Sequence, residues 1–138
     1  MDNPFLLEDL LFPVLEVRTN PKHDTQGERA GTLLQYGQQI QKVEGQPGRF
    51  GLVVSVRTDD ANSKNPPYTF NVEAYAIFNL GEGAVDNEET AKRVVQNGLP
   101  MVMGAIRQKI AELTARAPWG RFLINSVGLP EPVSISFV

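Results

Sequence analysis

Residues 68–80 read YTFNVEAYAIFNL, and this stretch decides the fold. Tyr68, Phe70, Val72, Ala74, Ala76, Phe78 and Leu80 occupy one side of an extended chain, and Thr69, Asn71, Glu73, Tyr75, Ile77 and Asn79 occupy the other. Successive side chains of a strand point to opposite faces, so this period of two describes a strand with one buried face. Working back from it, Phe50, Leu52, Val54 and Val56 alternate with Gly51, Val53, Ser55 and Arg57 in the same manner. Residues 33–43 repeat the pattern more weakly, with Leu34, Tyr36 and Ile40 on one face. Residues 10–19 are extended and apolar, and Pro13, which has no N–H for a ladder, marks an edge strand or a strand start. The stretches 20–31, 44–48 and 58–67 hold the turn formers and read as loops. Four such strands predict a meander-like antiparallel sheet with one face buried.

After residue 80 the period changes. Asp86, with Glu89 three residues on, is a capping-box pattern, and Asn97-Gly98 is a helix stop, so a helix of about three turns is expected between them. A second, longer helix is expected from near Pro100 to just before Pro118. At about 100° per residue, Leu99, Val102, Met103, Ile106, Ile110 and Leu113 form one apolar stripe. Gly104, Gln108, Ala111 and Ala115 lie opposite, with Arg107, Lys109, Glu112 and Arg116 on the flanks. The apolar stripe suits the sheet. The reverse face, small and nearly uncharged, admits the close approach of another helix, and a twofold dimer presents that face twice. Gly104, Gln108, Ala111 and Ala115 are therefore the candidate oligomer interface; the alternative is that they simply face solvent. Residues 121–125 (RFLIN) and 132–138 (PVSISFV) read as extended, with Val133, Ile135 and Phe137 alternating with Ser134 and Ser136.

The chain of 138 residues is expected to form a single α+β domain, a four-stranded antiparallel sheet packed on a long helix. Its net charge of −3, with basic residues scattered, disfavours nucleic acid or an anionic membrane as the main partner. No apolar run approaches the ~20 residues of a spanning helix. The apolar N-terminal stretch carries Asp2, Glu8, Asp9 and two prolines instead of a basic leader, so a cytoplasmic location is expected.

The residues offer no assembled chemistry. Without cysteine there is no thiolate nucleophile or thiolate metal site. His23, the one histidine, lies in a polar loop and reads as solvated. Gly45, Gly48 and Gly51 are not followed by a helix N-terminus and read as turn glycines, not a phosphate cradle. The pairs Asp59-Asp60 and Glu88-Glu89 are neighbours in sequence, whereas catalytic carboxylates converge across a cleft. Trp119 after Pro118 reads as an anchor closing the helix end. No catalytic, metal or cofactor residue is assigned, which leaves binding as the expected role.

The order of four strands and a long helix, with GLPMVMGAIRQKIAELTARAPWGRFLINSVGL running through helix and exit, resembles the SecB export chaperones. Ile77-Phe78 matches the apolar end of that family's fourth strand, and the helix carries Ile106-Arg107-Gln108, Ile110-Ala111-Glu112 and Arg116 at the family's corresponding steps. Leu123, Ile124 and Asn125 match its extended exit. The resemblance implies dimers joined partly through the helix and pairing into tetramers, no cofactor, and ATP-independent holding of unfolded polypeptide clients in apolar grooves. It further implies docking of a SecA-like motor on an acidic outer sheet face, for which Glu73 is the best match. The chain differs from the family in ending in PEPVSISFV where a second amphipathic helix is usual, in carrying Ser126 for a proline, and in its weakly acidic outer face. SecB-like proteins outside secretion, including chaperones of toxin–antitoxin systems, are similarly compatible, as is an interaction protein with one dedicated partner. Replacing Ala111 by Arg is expected to give monomers or insoluble protein, because a charge enters the close helix contact. An unchanged assembly in light scattering places the interface elsewhere.

Overall fold

The computed structural model describes residues 5–27 and 31–124. Strands β1 (Leu6–Thr19), β2 (Leu34–Lys42), β3 (Arg49–Thr58) and β4 (Tyr68–Asn79) are followed by helix α1 (Glu88–Thr114). All strand pairs are antiparallel, in the order β1-β4-β3-β2. The run β2-β3-β4 is a meander, and β1 closes onto the far side of β4, which makes β1 and β2 the two edges. Pro13 thus sits on an edge strand, within a register break between Leu11 and Val14. The first strand starts at Leu6, earlier than the apolar pattern from Leu10 suggests.

The strict alternation of β4 is realised as alternating buried and half-covered positions along its whole length. Its buried face and that of β3 contribute Phe50, Leu52, Val54, Val56, Phe70, Val72, Ala74, Ala76 and Phe78 to the core. Against them α1 buries Ala91, Val94, Val95, Leu99, Val102, Met103, Ile106 and Ile110. A second bulge in β1, between Leu7 and Asp9, leaves Glu8 without a cross-strand partner. Glu8 turns to Arg49, whose Nε and Nη2 donate to its two carboxylate oxygens at 2.6 and 3.3 Å. These bonds hold the Glu8 carboxyl below the usual carboxylate range.

Helix α1 corrects the sequence expectation of two helices. It is continuous over 27 residues, with Asn87, not Asp86, as N-cap: the Asn87 Oδ1 accepts from the Thr90 N–H at 2.8 Å. Asn97-Gly98 does not stop it and Pro100 lies inside it. The local signals lose to packing. Gly98 is buried where a Cβ would lie 2.8 Å from the Phe78 ring, so glycine there is a close-approach residue. Pro100 has no N–H to donate, a local cost of about 3 kcal/mol that the buried stripe on either side of it offsets. Leu113, assigned to the buried stripe, is 46 % exposed, and Thr114 is buried in its stead. Gly51 is also reassigned: it lies within β3, where a Cβ would stand 2.6 Å from the Tyr75 Oη. Gly45 and Gly48, at φ +75° and +77°, are the turn glycines expected.

Two helix glycines are expected to respond oppositely to the same change. Gly98→Ala should lower stability in urea denaturation although alanine is the better helix former, because the Phe78 ring must shift. Gly104, with nothing within 4 Å of a built Cβ, should gain up to about 1 kcal/mol as alanine. Equal responses at the two sites would refute the close-approach role of Gly98.

Candidate functional site

The site is built from what α1 leaves uncovered. The inner face of β2 carries Leu34, Tyr36, Gln38 and Ile40, since Ile40 pairs with Leu52, Gln38 with Val54 and Tyr36 with Val56, all core residues of β3. Ile40 is buried, Leu34 is half-buried and Tyr36 is 37 % exposed. Partial burial pushes the Tyr36 phenol above its usual value. The side-chain amide of Gln38 has both its nitrogen and its oxygen buried with no hydrogen-bond partner. The backbone of this strand has a definite polarity. Val43 N–H donates to the Arg49 carbonyl, and the Leu33 carbonyl accepts from Asp59 N–H. In an antiparallel ladder the pairing residues alternate, so odd-numbered residues of β2 bond to β3 and even-numbered ones turn their N–H and C=O to the open edge. Leu34, Tyr36, Gln38 and Ile40 thus combine apolar or buried side chains with ladder groups that no strand among the described residues pairs. The strand is regular throughout and its one charge is Lys42 at the end. A regular, nearly uncharged edge is a template for another extended chain, whereas β1 is interrupted by two register shifts and Pro13.

The exit from α1 is fastened by a hydrogen-bonded knot. Tyr68 Oη donates to the Gly120 carbonyl at 2.7 Å and accepts from Trp119 N–H at 3.0 Å. Trp119 Nε1 donates to the Asn20 carbonyl at 2.9 Å, and its ring lies 5.3 Å from that of His23. His23 Nδ1 is 2.9 Å from the Asn65 carbonyl. His23 is therefore half-buried between two loops and the helix exit, and the expectation of a solvated loop histidine is corrected. The signal in the sequence was Asn65, an L-residue at φ +53° whose side chain bonds both N–H and C=O of Asp24. Thr114 Oγ1 then donates to the Ile110 carbonyl and accepts from Phe122 N–H, turning the chain back along the helix. Phe122 packs on Phe70 at 4.8 Å, and Arg107 Nε holds the Ile124 carbonyl at 2.8 Å. Leu123, between two anchored neighbours, is 68 % exposed.

This geometry can be compared with known proteins. No protein-family model and no curated protein sequence matches the chain. Among solved structures, the Rv1957 SecB-like chaperone of Mycobacterium tuberculosis, in complex with a ChAD peptide from the HigA1 antitoxin, superposes with a TM-score of 0.71. The match covers 90 % of this chain and 91 % of that one at 14 % identity. A protein of unknown function from Streptococcus agalactiae superposes with a TM-score of 0.54 at 8 % identity, covering 88 % and 96 %. The fold is SecB-like. Identities of 14 % and 8 % speak for architecture alone.

Within the SecB-like fold the residues singled out from sequence fall on opposite sides. Gly104, Gln108 and Ala115 are exposed and Ala111 half-buried, together on the helix face turned away from the sheet. A shallow depression of about 370 Å³ opens there between Gln108, Ala111, Glu112, Ala115 and Arg121. Glu73 lies on the outer face of the sheet, beside Val14 and Ser55. By strand register the same face carries Asp9 and Glu16 but also Arg18 and Arg57, so its charge is mixed. Residues 121–124 form no strand, and residues 125–138, including PVSISFV, lie outside the described residues. No helix is long and apolar enough to cross a membrane among the described residues. Likewise, no group of three His, Asp or Glu residues there is placed to hold a metal ion.

Tyr68→Phe should leave the fold intact while depriving two backbone groups of their partner. A loss of about 1–3 kcal/mol in chemical denaturation is expected, with faster amide exchange at Trp119 and Phe122 than elsewhere. Unchanged exchange at the exit would show that the knot is redundant.

Proposed function

We propose that the protein is an ATP-independent, SecB-like chaperone that holds non-native polypeptides, a client lying as an extended strand along the open edge of β2. The observation that carries this reading is the regular, nearly uncharged edge of β2 with Leu34 and Tyr36 on its inner margin. Burial of half-exposed apolar side chains contributes about 1 kcal/mol each, and edge backbone bonds about as much. The gross gain of several kcal/mol, reduced by the cost of ordering the client, suits weak and reversible capture. Because the backbone carries much of it, many sequences fit.

On this reading the protein acts as a dimer or tetramer in the cytoplasm, joined through Gly104, Gln108, Ala111 and Ala115. Ala111 is half-buried in a depression whose floor is formed by small side chains and whose rim carries Glu112 and Arg121, which favours a close helix contact with a charged rim over a solvated face. A second reading, a SecB-fold protein with one dedicated partner, is favoured by the mixed charge around Glu73, which is a poor counterpart for a SecA-like motor, and by the antitoxin peptide bound to the mycobacterial structure.

The expected outcome is that several-fold excess of the protein slows aggregation of two unrelated denatured proteins without ATP, and that Tyr36→Asp abolishes the effect while leaving the far-ultraviolet circular dichroism unchanged. Failure to slow either client would eliminate the general holding function and leave the dedicated-partner reading.

A further inference from the structure

The sequence of β2, LQYGQQIQK over residues 34–42, has nearly the same chemistry read outward from Gln38 in either direction. On the inner face Tyr36 and Ile40 stand two residues to either side of Gln38. On the outer face Gln35 and Gln41 stand three residues away, and Gly37 and Gln39 one. Only the ends differ, Leu34 against Lys42. A twofold axis sets each residue of an antiparallel pair opposite its counterpart across the axis, so a strand of this kind is matched by a copy of itself.

The backbone restricts the register. Only even-numbered residues of β2 turn their N–H and C=O outward, so a copy must set even against even. An axis through Gln38 does this, and it faces Tyr36 with Ile40 of the second copy, Gln35 with Gln41, and Gln38 with Gln38. The aliphatic stem of Lys42 lies beside Leu34 of the second copy. The two Lys42 residues, which carry the only charges of the two edges, stay about 28 Å apart. An axis through Gly37 would set Tyr36 against Gln38 and glycine against glycine. One through Gln39 would set Tyr36 against Lys42.

Two details of the structure suit the Gln38 axis. The Gln38 amide has its nitrogen and oxygen buried without hydrogen-bond partners. Rotation about its own side-chain bonds turns it to the edge, where Gln38 of the second copy offers a matching acceptor and donor. On the outer face the Ser55 hydroxyl leans over Gly37, where a Cβ would stand 2.6 Å from Ser55 Oγ. Gln39 of the second copy, opposite Gly37, therefore meets a hydroxyl at a position that has no side chain of its own.

We propose that a second copy of this chain pairs with β2 about a twofold axis at Gln38, joining two four-stranded sheets into one of eight strands with both helices on the same face. The pairing follows from the edge alone. Its consequence rests on the preceding reading: a client for this edge must displace the second copy, so the edge is covered between clients.

The chain has no cysteine, so Gln39→Cys or Gln35→Cys carries a single spin label per copy. Strand geometry places the two Cα atoms about 8 Å apart across the axis for residue 39 and about 21 Å apart for residue 35. Electron paramagnetic resonance of the full chain should show strong dipolar coupling from the first label and weak coupling from the second. Similar coupling at both positions, or none at residue 39, overturns the proposal. With the label at residue 39, Gln38→Lys and Gln38→Asp should each lose the coupling on at least about tenfold less dilution, because like charges then face each other, and mixing the two variants should restore it. Unweakened pairing in either variant overturns the proposal, as does no recovery when both are folded by circular dichroism; if neither folds, the label distances decide. The same label separates the holding reading. Slowed aggregation without coupling at residue 39 removes the pairing and keeps the chaperone. Coupling that persists while a denatured client is held keeps the pairing and moves the client off this edge.

Discussion

One helix cannot cover a four-stranded sheet. A helix with its side chains is about 10–12 Å across, and four strands at about 4.8 Å spacing make a surface nearly twice as wide. Helix α1 therefore seals β3 and β4, whose inner residues are buried almost without exception, and leaves the inner margins of β1 and β2 only partly covered. Both partly covered sheet margins are consequences of that mismatch. The apolar margin of β2 and the exposed Leu15 and Leu113 near the other margin are what remains when a single helix closes the core.

The two margins are managed differently. On β1, two bulges and Pro13 interrupt the ladder, so a long neighbouring strand finds no continuous register. On β2, nine consecutive residues pair regularly with β3, and the outward-facing backbone groups of the even-numbered residues keep a uniform spacing. An edge of this kind is a hazard in a protein that only needs to fold and an asset in one that must hold extended chains. The knot of Tyr68, Trp119, His23 and Asn65 contributes by fixing how the chain leaves the helix, so that Leu123 is presented to solvent beside anchored neighbours rather than collapsing onto the core.

Much of this was legible in the residues. The period of two in Tyr68–Asn79 and Arg49–Thr58 specified strands and their buried faces, and the placing of Pro13 on an edge followed from its missing N–H. What misled were local signals. Asn97-Gly98 and Pro100 resemble a stop and a new start, yet the helix runs through them because Gly98 lets the backbone approach Phe78. Gly51 resembles a turn glycine, yet it lies in mid-strand beneath Tyr75. His23 resembles a solvated histidine, yet Trp119, 96 positions later, packs on it. The β2 edge was hidden for a related reason: its alternation is weak.

The sequence by itself determined the strands, their inward faces and the amphipathic character of the helix, because periodicity is a local property. Only the tertiary structure decided which strands became edges, that one helix rather than two covers the sheet, and which apolar side chains remain at the surface. Those outcomes depend on contacts between residues dozens of positions apart, where close packing of Gly98 on Phe78 or Trp119 on His23 outweighs the preference of any short segment.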